Sequence, residues 1–153
     1  MKASAFDIFA SNPKTEAEGV WQDFGSFRIR IARAGGGNRR FARVMEAKVK
    51  PYLRAVKTET LDPEIANRIL LETYVQCVIT GWECNTAADG EPDKWEPVVE
   101  VERGVFEPYS EDAVKKALIA LPNMFDDIKA QAGGFATFKD EVRAANVGNS
   151  SKS

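Results

Sequence analysis

The stretch VWQDFGSFRIRI, residues 20–31, constrains the fold more than any other part of the chain. Apolar and polar residues alternate on both sides of a Gly-Ser pair. That is the pattern of two strands joined by a two-residue turn with glycine at its first position. Pairing Phe24 with Phe27 puts Val20, Gln22, Phe24, Phe27, Ile29 and Ile31 on one face. Trp21 and Asp23 then lie on the other face, opposite Arg30 and Arg28. This register predicts an Asp23–Arg28 ion pair and a Trp21–Arg30 cation–π contact. The chain leaves the hairpin through ARAGGGN, whose glycines permit a sharp reversal, and Asn38 is placed to cap a helix.

Phe41, Val44, Met45, Lys48, Tyr52, Leu53 and Val56 recur at helical spacing. Pro51 falls inside that pattern and predicts a kink or a break. A second helix starts at Asp62-Pro63, a strong start signal. It is expected to bury Ile65, Ala66, Ile69, Leu70, Thr73, Tyr74, Cys77 and Val78 and to end at Gly81. Residues 83–109 read as acidic and irregular. A weak alternation around Arg103-Gly104 fits a second short hairpin, which Pro97 and Pro108 confine to an edge. Ser110 caps a short helix stopped by Pro122, another short helix runs to Gly133-Gly134, and FATFKDEVRAA makes a last amphipathic turn or two. The expected fold class is mainly α (α+β): a small helical domain with an N-terminal β-hairpin and room for a second short one. The expected organisation is a loose arm over residues 1–19, a single globular helical domain over 20–145, and a tail at 146–153 whose composition predicts disorder.

The chain has 153 residues and no histidine. One domain is the natural reading of that length. Without histidine the chain lacks the commonest general acid/base and the commonest metal ligand, which argues against an enzyme. GGGNRRF lacks the lysine and hydroxyl of a phosphate-binding loop, and the spacing GxGxxG is absent. Asp126-Asp127 and the scattered acids of 83–112 do not match a calcium loop. No catalytic, metal-binding or cofactor-binding residue is assigned, and no cofactor is expected. Cys77 and Cys84 are too few for a disulfide framework and do not form CxxC, so a reducing cytosol is expected. No apolar run approaches the roughly 18 residues of a membrane span.

Charge is unevenly spread. Residues 28–57 hold ten Lys/Arg against one acid, Glu46; residues 83–112 hold ten Asp/Glu against two bases, Lys94 and Arg103. One reading is that the two segments neutralise each other inside the fold. The other is head-to-tail self-association or an acidic partner. The basic segment also suits nucleic acid, although the chain as a whole carries a formal charge of −2.

RIARAGGGNRRFARVMEAKVKPYLRAV, followed by a capped second helix ending in VITGWE, resembles the tail assembly chaperones of long-tailed bacteriophages. The matching positions include Arg30, Arg33, Gly35, Asn38, Phe41, Lys48, Pro51, Tyr52 and Trp82, and FEPYSEDAVKKALIALPNMFDDI fits the later part of the pattern. The resemblance covers about residues 18–132, and DKWEPVVEVERGV looks like an insertion in it. It implies a non-catalytic protein that binds the long, apolar tape measure protein, recruits tail tube subunits and is absent from the finished virion. The host bacterial cytoplasm is the implied location. Self-association and a hydrophobic groove between the two long helices are expected with it. Arg33, Arg39, Arg40, Phe41, Lys48, Tyr52 and Trp82 are the candidate partner-binding residues. A structural tail subunit of the virion is the alternative, with a nucleic-acid binder using residues 28–57 behind it.

Overall fold

The computed structural model describes residue 2 and residues 4–138. The tail expected at 146–153 and most of the last amphipathic segment lie outside the described residues. Four strands form an antiparallel sheet in the order β1 (Val20–Asp23), β2 (Phe27–Ile31), β3 (Ile79–Asn85) and β4 (Trp95–Glu96). A separate hairpin joins β5 (Val98–Glu102) to β6 (Val105–Pro108), turning at Arg103-Gly104. Two short helices, α1 (Ala5–Phe9) and α2 (Pro13–Glu18), precede the sheet. Between β2 and β3 come α3 (Arg39–Val49), α4 (Leu53–Lys57) and α5 (Pro63–Cys77). After β6 come α6 (Glu111–Ala120) and α7 (Pro122–Gly133).

The expected mainly helical domain is therefore corrected to a mixed α+β fold with two sheets. The missing strands lay where the sequence read as a helix end and an acidic loop. α5 stops at Cys77, and Val78, Ile79 and Thr80 carry the chain straight into β3. Three consecutive β-branched residues favour an extended pleat over another helical turn. Gly81 then sits inside a strand rather than ending a helix. β3 lies beside β2 and gives the core Ile79, Trp82 and Cys84.

The hairpin register is the one the alternation predicts, with Val20 opposite Ile31 and Asp23 opposite Arg28. Ile29 and Ile31 are fully buried and share one core cluster with Tyr74 and Val78 of the α5 end, Val99 of β5, Val114 and Leu118 of α6, and Ile128 of α7. Each such side chain taken from water contributes roughly 1.5–3 kcal/mol, so the sheet face and not the helix pair is the centre of the core. The expected Asp23–Arg28 ion pair does not form. The Asp23 carboxylate accepts from the Gly25 N–H at 2.7 Å and holds the turn. Arg28 instead pairs with Glu83 on β3 at 2.9 Å. Its guanidinium lies 5.3 Å from the Trp21 ring centroid and 4.4 Å from that of Trp95, and Arg30 lies 5.5 Å from Trp21. These residues tie all four strands together across the outer face.

Within the segment expected as a loose arm, α2 and the residues just before it make contacts with the rest of the fold. α2 begins with Pro13 after Asn12, whose side chain accepts from Lys14 and Thr15. Glu16 on α2 is only 3% exposed. It accepts from Arg33 Nη1 at 2.6 Å, Ser11 Oγ at 2.8 Å and the Gly37 N–H at 3.2 Å. Burial alone would raise its pKa, but the Arg33, Ser11 and Gly37 donors outweigh that and lower it. Gly36 has φ +52°, and a Cβ there would run into Glu16. The glycine turn thus closes around a carboxylate.

Asn38 precedes α3, but its side chain does not cap that helix. It points inward and donates to the Arg33 carbonyl at 2.8 Å and the Cys77 carbonyl at 2.9 Å. The end of α5 leaves unsatisfied carbonyls, and a buried carbonyl without a donor costs more than an exposed helix start. Pro51 acts as expected: α3 ends at Val49, a 3₁₀ turn spans Lys50–Tyr52, and α4 resumes at Leu53.

Candidate partner-binding surfaces

The seven residues singled out in the sequence fall into two groups. Arg39 and Arg40, at the start of α3, are exposed. The other five make contacts within the chain. Arg33 is held by Glu16. Phe41 meets Tyr74 edge-on with ring centroids 5.8 Å apart. Lys48 pairs with Glu72 at 3.1 Å. The Tyr52 hydroxyl accepts from Arg68 at 3.3 Å. Trp82 is 3% exposed, with Phe27 stacked 6.1 Å from it. Between α3 and α5, where a groove was expected, Phe41 meets Tyr74 and the Thr73 hydroxyl reaches the Met45 sulfur at 4.0 Å.

A groove lies instead between α5 and the α6–α7 corner. It is open and has a volume of about 520 Å³. Leu70 and Leu71 from α5, and Ile119 and Phe125 from the corner, supply apolar surface. Arg68, Lys115 and Lys129 stand around it. Lys129 lies 4.6 Å over the Phe125 ring and pairs with Asp126 at 3.1 Å. Arg68 and Lys115 share Glu72 at 3.9 Å each, both loose pairs. Ile119 is 62% exposed and Leu121 50%. Pro122 starts α7 immediately after α6 and makes this corner, since it cannot donate the backbone bond that would continue α6. Pro122 was read as a helix stop; the groove it creates was not, because it depends on how α5 packs beside the corner.

A second surface is the outer face of α3–α4. Arg39 and Arg43 lie one turn apart on α3, Lys50 follows at the 3₁₀ turn, and Arg54 and Lys57 lie one turn apart on α4. All five are exposed. The opposite face carries Phe41, Met45, Lys48 and Tyr52 toward α5. Among the described residues, the ion pairs of the basic segment are Arg28–Glu83, Arg33–Glu16 and Lys48–Glu72. Only the first reaches the acidic segment, so the two charged segments do not neutralise each other inside the fold.

A cavity of about 200 Å³ lies beside β3, lined by Phe27, Trp82, Cys84, Glu100, Phe106 and Met124 among others. The Cys84 thiol donates to the Val98 carbonyl at 3.2 Å. Burial raises the thiol pKa, while the Glu100 backbone and the Trp82 indole act against it. The indole N–H reaches hydrogen-bond geometry with no acceptor among the described residues. Cys77 is likewise buried with a raised pKa, so both thiols behave as core residues, as Cys77 was read from its place on the α5 stripe.

Fold and surfaces together define a small α+β protein whose open features are an apolar groove and a cationic helix face. Residues 36–149 match the YdaY prophage protein family, and the chain belongs to that family. It is a phage-derived protein. No curated protein and no solved structure matches the chain.

Proposed function

We propose that this protein is a non-catalytic assembly chaperone of phage tails, which holds an apolar segment of the tape measure protein and brings tail tube subunits to it. The observation that carries the reading is the α5/α6–α7 groove. It presents leucine, isoleucine and phenylalanine side chains beside three cations, Arg68, Lys115 and Lys129, and one carboxylate, Asp126. Such a groove suits an amphipathic helix laid along it, with apolar anchors at helical spacing and acids at its flanks. Membership of a prophage family and the resemblance of residues 18–132 to tail assembly chaperones support the same role. On this reading the protein acts in the host bacterial cytoplasm and is left out of the mature virion.

The test is co-expression with the long, apolar-rich protein encoded downstream in the source genome. The partner is expected to stay soluble and co-purify with the wild type. Ile119→Asp, at a mostly exposed position, should abolish this with an unchanged circular dichroism spectrum. A partner that precipitates alike alone and with the wild type removes the proposal.

A further inference from the structure

We infer that the cationic face of α3–α4 receives the acidic β5–β6 lobe of a second copy, so that the chain associates head to tail. The inference does not depend on the chaperone reading. Arg39, Arg43, Lys50, Arg54 and Lys57 are all exposed along α3, the 3₁₀ turn and α4. Glu100 and Glu102 project from β5, both exposed. A single ion pair, Arg28–Glu83, joins the basic and acidic segments within one copy among the described residues. Lys116 of α6 pairs with Glu107 at 2.9 Å and lies beside Glu102, so the acidic surface left open on the hairpin centres on Glu100 and the outer side of Glu102.

Each face also carries apolar surface beside its charges. Leu53 is 47% exposed and Val56 42%, and both belong to α4 between the cations. On the other side Phe106 and Val105, about half exposed, are the cross-strand partners of Glu100 and Glu102. Apolar side chains set among complementary charges are what a protein interface needs: burial for affinity, charge for register. Nucleic acid fits less well, because the acidic lobe and a net charge of −2 would oppose it. Because the two faces differ, each copy keeps one free. The contact is heterologous and builds rings or open chains rather than a closed two-fold dimer.

The experiment uses two charge-reversal variants, Arg43→Glu/Arg54→Glu and Glu100→Lys/Glu102→Lys, each checked for fold by circular dichroism. Sedimentation velocity is run over a concentration series at low and at high salt. The wild type should grow beyond a dimer as concentration rises at low salt and shrink as salt screens the contact. Each variant alone should stay monomeric. Their equimolar mixture should associate again, because the intact basic face of one variant meets the intact acidic lobe of the other and the two reversed faces are complementary as well. A wild type that stays monomeric at every concentration overturns the inference, as does a mixture that forms no complex. Binding of a duplex oligonucleotide that is lost in the Arg43→Glu/Arg54→Glu variant of a monomeric protein would assign the face to nucleic acid instead.

Discussion

Replacing Glu16 by Gln keeps the side-chain shape and removes the charge that the glycine turn closes around. The wild-type carboxylate accepts three hydrogen bonds, one of them from Arg33 at 2.6 Å. The Arg33 side chain is 24% exposed and would lose its counter-ion. A charged hydrogen bond in such a place contributes about 1.5–3 kcal/mol, and the unpaired guanidinium adds to the loss. We expect a destabilisation of about 2 kcal/mol, or roughly 4–8 °C in Tm for a chain of this size. Urea unfolding followed by circular dichroism measures it, with Arg33→Gln and the double variant completing a cycle. The pH dependence fixes the cause. The folded pKa of Glu16 is lowered, so its contribution is full above the unfolded carboxylate value of about 4.3 and is lost as pH falls through the folded value. The difference between wild type and Glu16→Gln should therefore be largest near neutrality and shrink below about pH 4. A variant within about 0.5 kcal/mol of the wild type at pH 7, or a difference that ignores pH, would refute the reasoning, since an exposed surface pair already contributes up to about 1 kcal/mol.

Gly81→Ala places a Cβ 2.9 Å from the Trp21 ring; the exposed indole should swing outward at a cost of about 1 kcal/mol, read as greater acrylamide quenching of tryptophan fluorescence. Arg28→Ala removes the Glu83 pair and the cation between Trp21 and Trp95, so a loss of about 1–2 kcal/mol is expected in chemical unfolding. Phe41→Ala should destabilise by about 3 kcal/mol through the cavity left against Tyr74, which a thermal melt would register. Burial raises the pKa of both Cys77 and Cys84, so Ellman's reagent should react slowly at neutral pH and quickly only in denaturant; fast native labelling would place a thiol at the surface.

The β1–β2 hairpin was legible because its alternation and Gly-Ser turn are local, and its register followed from keeping the aliphatic residues on one side. The caps of α5 and α6 were legible for the same reason: Asp62 accepts from Glu64, and Ser110 from Ala113. The switch from α5 to β3 was not. Its residues continue the apolar pattern of the helix, which masks the β-branched run Val78–Thr80, and pairing with β2 completes the extension. β4 has two residues and exists because Trp95 and Glu96 meet Asn85 and Cys84. Asp23 and Asn38 were correctly placed beside a turn and a helix end, but each side chain takes a bond that sequence spacing does not display. Among the candidate site residues, Phe41 and Trp82 are apolar at positions where the core claims them, while Arg39 and Arg40 stay outside. The groove joins residues about fifty positions apart and has no signature in any one stretch.

The account turns on whether the α5/α6–α7 groove holds the partner. A photo-crosslinking amino acid at Ile119, with a control at Lys14 on α2, answers this in the co-expressed complex, with adducts mapped by mass spectrometry. The account predicts that Ile119 crosslinks to one apolar partner segment flanked by acids and that Lys14 does not. A complex that forms while Ile119 captures nothing would contradict it.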